Sequence, residues 1–479
     1  MPADPHSADL ARRDWLKTSA LGTATTLLAG SGAVLAAEAS AAASKPARRV
    51  KGVVFMVSDG MSPGVLTLAE AYSRLTRKSG THWWGLINNR SAARGLMDTA
   101  SANSMVTDSA AAATAWGGGV RVNNGTINVT PAGKEITPIA AILKQAVKAR
   151  IGLVTTATVT HATPAGFAAA VASRANEDAI APQYLDRVDV ILGGGSGFFS
   201  AGTRADKRDL AGDFAKAGYQ VISHRDELLN SHSERLLGTF TRGHLPFTVD
   251  RDHDPKLAAR VPTLAEMADA ALSRFLAADA PFLLQVEGAR IDHAAHLNDI
   301  SGVLGDQLAF DDAIASVLAK TAGRDDILVV VTSDHGNANP GLNGMGGGYS
   351  QSTRSFQRIA GIKSSYERIF GEWQKLKNAD AARLASLVGS HLGFEPTPAE
   401  AEALFEILGR RKVIEWNHQL ANPEGLLGQF AGNHTGIGWT GTTHTSDPTL
   451  VTAIGPQADR FAGIVTNTDV FTHLVEMLA

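Results

Sequence analysis

The sequence predicts an α/β protein: a three-layer sandwich with a central, mostly parallel sheet, helices on both faces, and a helical insertion near the functional edge. Three observations lead there. Short apolar runs rich in Val, Ile and Leu alternate with longer stretches of helical periodicity, the pattern of crossovers around buried parallel strands. Several of these runs end in clusters of Asp, His, Ser and Thr, and open parallel sheets collect ligand groups at the carboxyl ends of their strands. Between residues 337 and 441 the strand pattern lapses and helical periodicity takes over.

Composition narrows the function classes. A chain of 479 residues holds one large α/β domain or two to three ordinary ones. The net charge of −3, without a long basic run, argues against nucleic acid as a partner. Cysteine is absent, which excludes disulfides, thiolate metal sites and cysteine nucleophiles, so any metal must be held by His, Asp and Glu. The segment Ala11-Arg12-Arg13-Asp14-Trp15-Leu16-Lys17 looks like a twin-arginine export signal. An uncharged, mildly apolar run over 18–37 follows it, with small residues suited to cleavage. The expectation is a signal peptide over 1–43 and a catalytic domain over 44–479, exported folded to the periplasm or the exterior, with no membrane span after cleavage. A membrane anchor is the competing reading of the same short run.

Taken in order, residues 50–57 form the first buried strand, which empties into Ser58-Asp59-Gly60-Met61. Asp59 there suits either a ligand or a local Asx-turn. Val106-Thr107-Asp108-Ser109 opens onto Ala110-Ala111-Ala112-Ala113-Thr114, a helix start whose acid and serine serve either as caps or as a nucleophile at a positive helix end. A helix over 138–149 leads to a strand over 151–156, then to Thr160-His161-Ala162-Thr163-Pro164, with helix again over 165–172 and Arg174 beyond. The strand over 188–192 runs into Gly193-Gly194-Gly195-Ser196-Gly197, which lacks the Lys-Ser/Thr ending of a P-loop and reads as a tight turn. Short strands over 219–223 and 236–241 precede a Pro-initiated helix over 262–278.

The strand over 282–286 delivers Glu287, Asp292, His293 and His296. Asp292 and His296 lie four apart, so one helical face presents both to a single cation. After a helix over 303–320, the strand over 327–332 delivers Ser333-Asp334-His335-Gly336. The insertion, at about 340–440, contains helices over 364–377, 380–392 and 398–409 and reads as a lid, an interface or peripheral decoration. His444 falls just before a strand over 450–454. Serine alone is a weak nucleophile, and a cation beside Ser109 would lower the pKa of its hydroxyl. Two histidines with a carboxylate suit zinc, and carboxylates with a hydroxyl suit magnesium. Arg174 suits bidentate contact with a phosphate end group.

Val106-Thr107-Asp108-Ser109-Ala110-Ala111-Ala112-Ala113-Thr114 resembles the nucleophile signature of alkaline phosphatases. The resemblance extends through Ser58-Asp59-Gly60-Met61, Thr160-His161-Ala162-Thr163-Pro164, Val286-Glu287-Gly288, Asp292 with His296, Ser333-Asp334-His335-Gly336 and Thr443-His444-Thr445. It runs from about residue 50 to the end, apart from much of the insertion. It implies hydrolysis of small phosphate monoesters through a phosphoserine on Ser109, with two Zn2+ and one Mg2+. By the same resemblance Asp292, His296 and His444 hold the first zinc, Asp59, Asp334 and His335 the second, and Asp59, Thr163 and Glu287 the magnesium. Asp108 positions Arg174, and the protein is a homodimer. His161 and His293 replace an acid and a lysine of the best-known bacterial pattern, which leaves open whether they touch metal, phosphate or only the surrounding shell. The rival readings are a phosphodiesterase of the same superfamily and a metal- or phosphate-binding protein without turnover. Arg174 favours monoesters, and the filled ligand set favours turnover.

Overall fold

Buried β-branched runs build the frame. The computed structural model describes residues 50–377, 380–413 and 417–479; the expected signal segment 1–43 lies outside the described residues. Ten strands form one sheet: β1 (Gly52–Ser58), β2 (Ala93–Met97), β3 (Arg150–Thr158), β4 (Val190–Gly194), β5 (Gln220–Ile222), β6 (Leu236–Thr239), β7 (Phe282–Gly288), β8 (Ile327–Thr332), β9 (Thr449–Ile454) and β10 (Gly463–Val465). Their order is β10-β2-β9-β8-β1-β7-β3-β4-β6-β5. The central strands β8, β1, β7 and β3 are parallel and in register, with Val57 beside both Glu287 and Thr332, and Thr155 beside Glu287. The carboxyl ends of β8, β1 and β7 therefore finish level, while β3 runs on to Thr158. Strand β9 is antiparallel to both of its neighbours, so its beginning, not its end, reaches that edge and brings His444 there.

Helices cover both faces. The ones that matter for the site are α1 (Pro63–Arg77), α2 (Ser109–Gly118), α3 (Ala162–Ala168), α4 (Leu264–Ala277), α5 (Arg290–His296), α6 (Ile300–Thr321) and α7 (Tyr366–Trp373). Alternate residues of β1 point to opposite cores. Val54 and Met56 pack with α1, α4 and α6, whereas Val53, Phe55 and Val57 pack with α2 and with the helices Ile139–Val147 and Asp469–Leu478. This is the expected three-layer arrangement, produced by the period-2 alternation of a strand.

Several local features differ from the sequence reading. Helix α3 starts at Ala162, earlier than expected, because Pro164 falls within its first turn, where its missing N–H costs nothing. Helix α4 begins after Pro262, with Thr263 and Glu266 closing a capping box. Residues of the 193–197 loop donate their N–H groups to carbonyls of Thr241, Arg242 and Gly243, so this loop is a turn rather than an anion cradle. Strands β2 and β10, with their glycines and exposed Leu96 and Ile464, lack a readable apolar run.

The helical segment between β8 and β9 has its own small core, including Tyr366, Ile369, Leu384, Val388, Leu404 and Leu427. It contains α7, Ala381–Leu392 and Pro398–Leu408, plus Ser352–Gln357 and the Gly-rich helix Pro423–Thr435, which the periodicity did not reveal. Two buried carboxylates fasten the start of α7 to the rest: Asp250 accepts from the Ser365 N–H at 2.9 Å, and Asp299 from the Tyr366 N–H at 2.8 Å.

Helix α2 is buried at every position and presses against α3. A Cβ on Gly117 would lie 2.1 Å from the Gly166 carbonyl oxygen, so the close approach depends on glycine. Gly117→Ala is expected to destabilise the fold by about 1–3 kcal/mol and to displace the start of α2, lowering both the melting temperature and turnover. An unchanged melting temperature would contradict this packing.

Candidate metal centre

The level strand ends bring four carboxylates together. Asp59 follows β1, Glu287 closes β7, Asp334 follows β8, and Asp292 stands on α5 directly after β7; none is more than 4% exposed. Both oxygens of Asp59, Oδ2 of Asp334 and Oε1 of Glu287 are buried without a hydrogen-bond partner. The Asx-turn reading of Asp59 is therefore replaced: it accepts no local bond. Burial, then the charges of Asp334, Asp292 and Glu287, push its pKa well above the carboxylate range. Burial likewise raises Glu287 to about 7, against the hydrogen bond from Thr155. Such a chamber favours cations or protons.

Among the described residues, ligand atoms fall into three groups, each within 4.8 Å: Asp292, His296 and His444; Asp59, Asp334 and His335; and Asp59, His161 and Glu287. In the first group His296 Nδ1 faces the Thr442 carbonyl at 2.7 Å and His444 Nδ1 faces the Thr107 carbonyl at 2.9 Å. Each carbonyl only accepts, so each ring carries its proton on Nδ1 and turns a lone pair outward on Nε2. The two Nε2 atoms then stand 3.0 Å apart, with Asp292 oxygens 3.4 Å from His296 and 3.6 Å from His444. Two lone pairs at that distance repel unless a cation or a proton lies between them. Burial works against charge on His296, but Asp292 outweighs it and lifts the ring to about 9, so without a metal ion a proton on His296 Nε2 takes that place.

In the second group His335 Nε2 is 3.6 Å from Asp59 and 3.2 Å from Asp334. Asp334 is oriented through Oδ1, which accepts from the N–H groups of Gly60 and His335, both at 3.0 Å. Ser109 Oγ lies 3.2 Å from the same His335 Nε2. The serine is buried, at the first position of α2. Beside the third group, near Glu287, Thr163 in the first turn of α3 carries a buried hydroxyl without a hydrogen-bond partner.

Asp108 is both cap and anchor. Its Oδ1 accepts from the Ala111 N–H at 2.9 Å, closing α2, and its Oδ2 accepts from the Gly125 N–H at 3.0 Å and from Arg174 Nη1 at 3.1 Å. The other terminal nitrogen of Arg174 donates to His161 Nε2 at 2.9 Å. A guanidinium only donates, so the neutral His161 carries its proton on Nδ1. In this arrangement the ring supports Arg174, and neither nitrogen has a lone pair free for a cation. His293 lies beside His161, with ring centres 5.4 Å apart. Burial, then the neighbouring arginines, depress both rings well below the usual histidine range.

All the residues singled out from sequence thus meet at one sheet edge. Sequence reasoning missed Thr155, which holds Glu287; Asn337, whose Nδ2 donates to Asp292 Oδ1 at 2.7 Å; and His244, whose ring centre is 4.6 Å from that of His293. His244 had a signal, since it follows β6, another parallel strand aimed at this edge. The donor sets fit metals: two histidines with a carboxylate in the first group and a histidine with two carboxylates in the second suit zinc, and the oxygen-rich third suits a harder ion.

A sequence model of the family "Alkaline phosphatase" matches residues 50–479. Alkaline phosphatase 3 of Bacillus subtilis (strain 168) is 31% identical over 385 residues, which is 78% of this chain and 77% of that protein. The crystal structure of Thermus thermophilus alkaline phosphatase superposes with a TM-score of 0.84 at 34% identity, covering 90% of this chain and 91% of that one. That of the cold-active alkaline phosphatase from a psychrophilic Shewanella sp. gives 0.73 at 29% identity, covering 89% and 100%. The chain belongs to the alkaline phosphatase family. It is a metal-binding phosphatase, and among its described residues no helix is long and apolar enough to cross a membrane.

Metal removal tests the chamber. Treatment with a chelator should lower the melting temperature by several degrees, since cation binding to the folded state alone contributes about 3–4 kcal/mol at 100 to 1,000 times its Kd. Readdition of zinc should restore it, and a chelator-treated protein that melts unchanged would contradict the arrangement.

Proposed function

We propose that the protein hydrolyses phosphate monoesters at alkaline pH to an alcohol and inorganic phosphate, with Ser109 as the nucleophile. The observation that carries this is the position of Ser109 Oγ, 3.2 Å from His335 Nε2 and at the head of a buried helix. Two Zn2+ would be held by Asp292, His296 and His444 and by Asp59, Asp334 and His335, and Mg2+ by Asp59, Thr163 and Glu287. Bound there, the cations supply Lewis acidity, lowering the pKa of the serine hydroxyl and offsetting charge on the leaving oxygen.

The chain's own groups do the rest. Arg174, held in place by Asp108 and His161, binds non-bridging phosphate oxygens, which selects a terminal phosphate over a diester. The free N–H groups at the start of α2 face the same phosphate and favour its negative charge. Ser109 Oγ, having given up its proton, forms a bond to phosphorus as the ester P–O bond breaks, and the leaving oxygen takes up a proton from solvent and departs as the alcohol. The oxygen of a deprotonated water then bonds to phosphorus as the Oγ–P bond breaks, inorganic phosphate departs, and Oγ regains its proton. Burial of Ser109 and of the carboxylates keeps these charges in a poorly screened setting, where each interaction is strengthened. The twin-arginine-like segment at residues 11–17 supports export of this activity from the cytoplasm.

Purified protein should release phosphate from an aryl phosphate at alkaline pH and lose that activity with either chelator or Ser109→Ala. Activity surviving both would overturn the mechanism, and a preference for diesters would overturn the substrate class. Arg174→Ala is expected to raise KM by about 10- to 100-fold, the scale of one charge-assisted contact, with slow turnover and metal content retained. Complete inactivity with metals still bound would contradict a role confined to phosphate binding.

A further inference from the structure

The helical segment between β8 and β9 reaches the histidines beside the site through a buried side chain. Arg290, at the start of α5, is 2% exposed. Its guanidinium lies 3.6 Å over the ring of Phe247, donates through Nη2 to Glu367 Oε2 at 2.6 Å, and donates through Nη1 to His293 Nδ1 at 2.9 Å. Glu367 belongs to α7, whose start is fastened by Asp250 and Asp299. A buried cation needs an anionic partner, and the helical segment supplies it.

The same bonds fix a wall of three histidines. Arg290 only donates, so neutral His293 must carry its proton on Nε2. His244 Nδ1 accepts from the Thr158 N–H at 3.0 Å, so its proton is on Nε2 as well. His161, whose Nε2 accepts from Arg174, stands edge-on to both, with ring centres 5.4 Å from His293 and 5.8 Å from His244. Edge-on contacts of this kind depend on ring orientation. His161 Nδ1 has no hydrogen-bond partner, so the orientation of the ring that faces Arg174 depends on these edge-on neighbours and shifts if His293 turns.

We propose that Glu367 is a positioning residue for phosphate binding: through Arg290 and His293 it fixes the ring of His161, which holds Arg174 in its bound orientation. The helical segment is then part of the phosphate site's support rather than peripheral decoration. The proposal rests on the reading of Arg174 as the phosphate-binding group. Because the Glu367 side chain is 58% exposed, its replacement opens no cavity in the cores of the fold; the cost falls on Arg290, which keeps His293 and the Phe247 ring as neighbours but loses its anionic partner.

The test is inhibition of the metal-loaded enzyme by inorganic phosphate, together with kcat and KM for an aryl phosphate. Glu367→Ala should raise the phosphate inhibition constant and KM by about threefold to tenfold, the scale of coupling between residues in one network, while changing kcat less than KM and leaving metal content unchanged. Glu367→Gln keeps an oxygen that accepts from Arg290 and should recover part of the loss. In a His293→Ala background, Glu367→Ala should add nothing, because the path is already cut. An unchanged inhibition constant, a Gln variant no better than Ala, or losses that add in the double variant would overturn the proposal. Arg174→Ala, measured alongside, separates the two levels. If it leaves phosphate inhibition intact the underlying reading fails, and if it weakens inhibition while Glu367→Ala does not, only the positioning role fails.

Discussion

Repulsion among four buried carboxylates is the constraint on which the rest of this structure depends. Asp59, Glu287, Asp292 and Asp334 share one buried edge of the sheet, and two like charges about 4 Å apart cost about 4 kcal/mol even at an effective dielectric constant of about 20. Cations, or protons in their absence, must offset it. Asp59 shows the tension most plainly. Hydrogen-bonding neighbours orient Asp334 and Asp292, yet both Asp59 oxygens are left without any, and Asp59 belongs to two of the three ligand groups at once.

Sheet register converts this chemistry into geometry. Three parallel strands end level, so residues more than two hundred apart in sequence arrive together without long loops to order. The antiparallel β9 extends the scheme, because a residue preceding such a strand reaches the same edge as residues following the parallel ones. His444 depends on that reversal, and with it the pair of Nε2 lone pairs shared with His296. The serine arrives from another direction, on a helix whose glycine-to-backbone contact with α3 sets its depth.

Much of this was legible in the sequence, for a physical reason. Buried parallel strands need continuous apolar runs, so β1, β3, β7 and β8 are conspicuous, and the residues following them announce the edge. Asp292 and His296 share a helical face by spacing alone. What the sequence hid has equally physical causes. Strands β2 and β10 are short and partly exposed, and the helix Pro423–Thr435 is rich in glycine. Asp59 taken alone also read as a turn former, because whether a carboxylate finds a local donor is decided by tertiary packing. Arg290 and Glu367 carried no signal, since the meaning of each lies in the other, 77 positions away. The tautomers of His161, His293 and His296 likewise follow from backbone carbonyls and arginines that no spacing rule reveals.

Anomalous diffraction at the zinc edge, from crystals grown with zinc and inorganic phosphate, tests the central claim most directly. The account predicts peaks within ligand distance of Asp292, His296 and His444 and of Asp59, Asp334 and His335, about 4 Å apart, with Ser109 Oγ beside the second and phosphate oxygens on Arg174. Zinc bound elsewhere, or a second ion remote from Ser109, would contradict it.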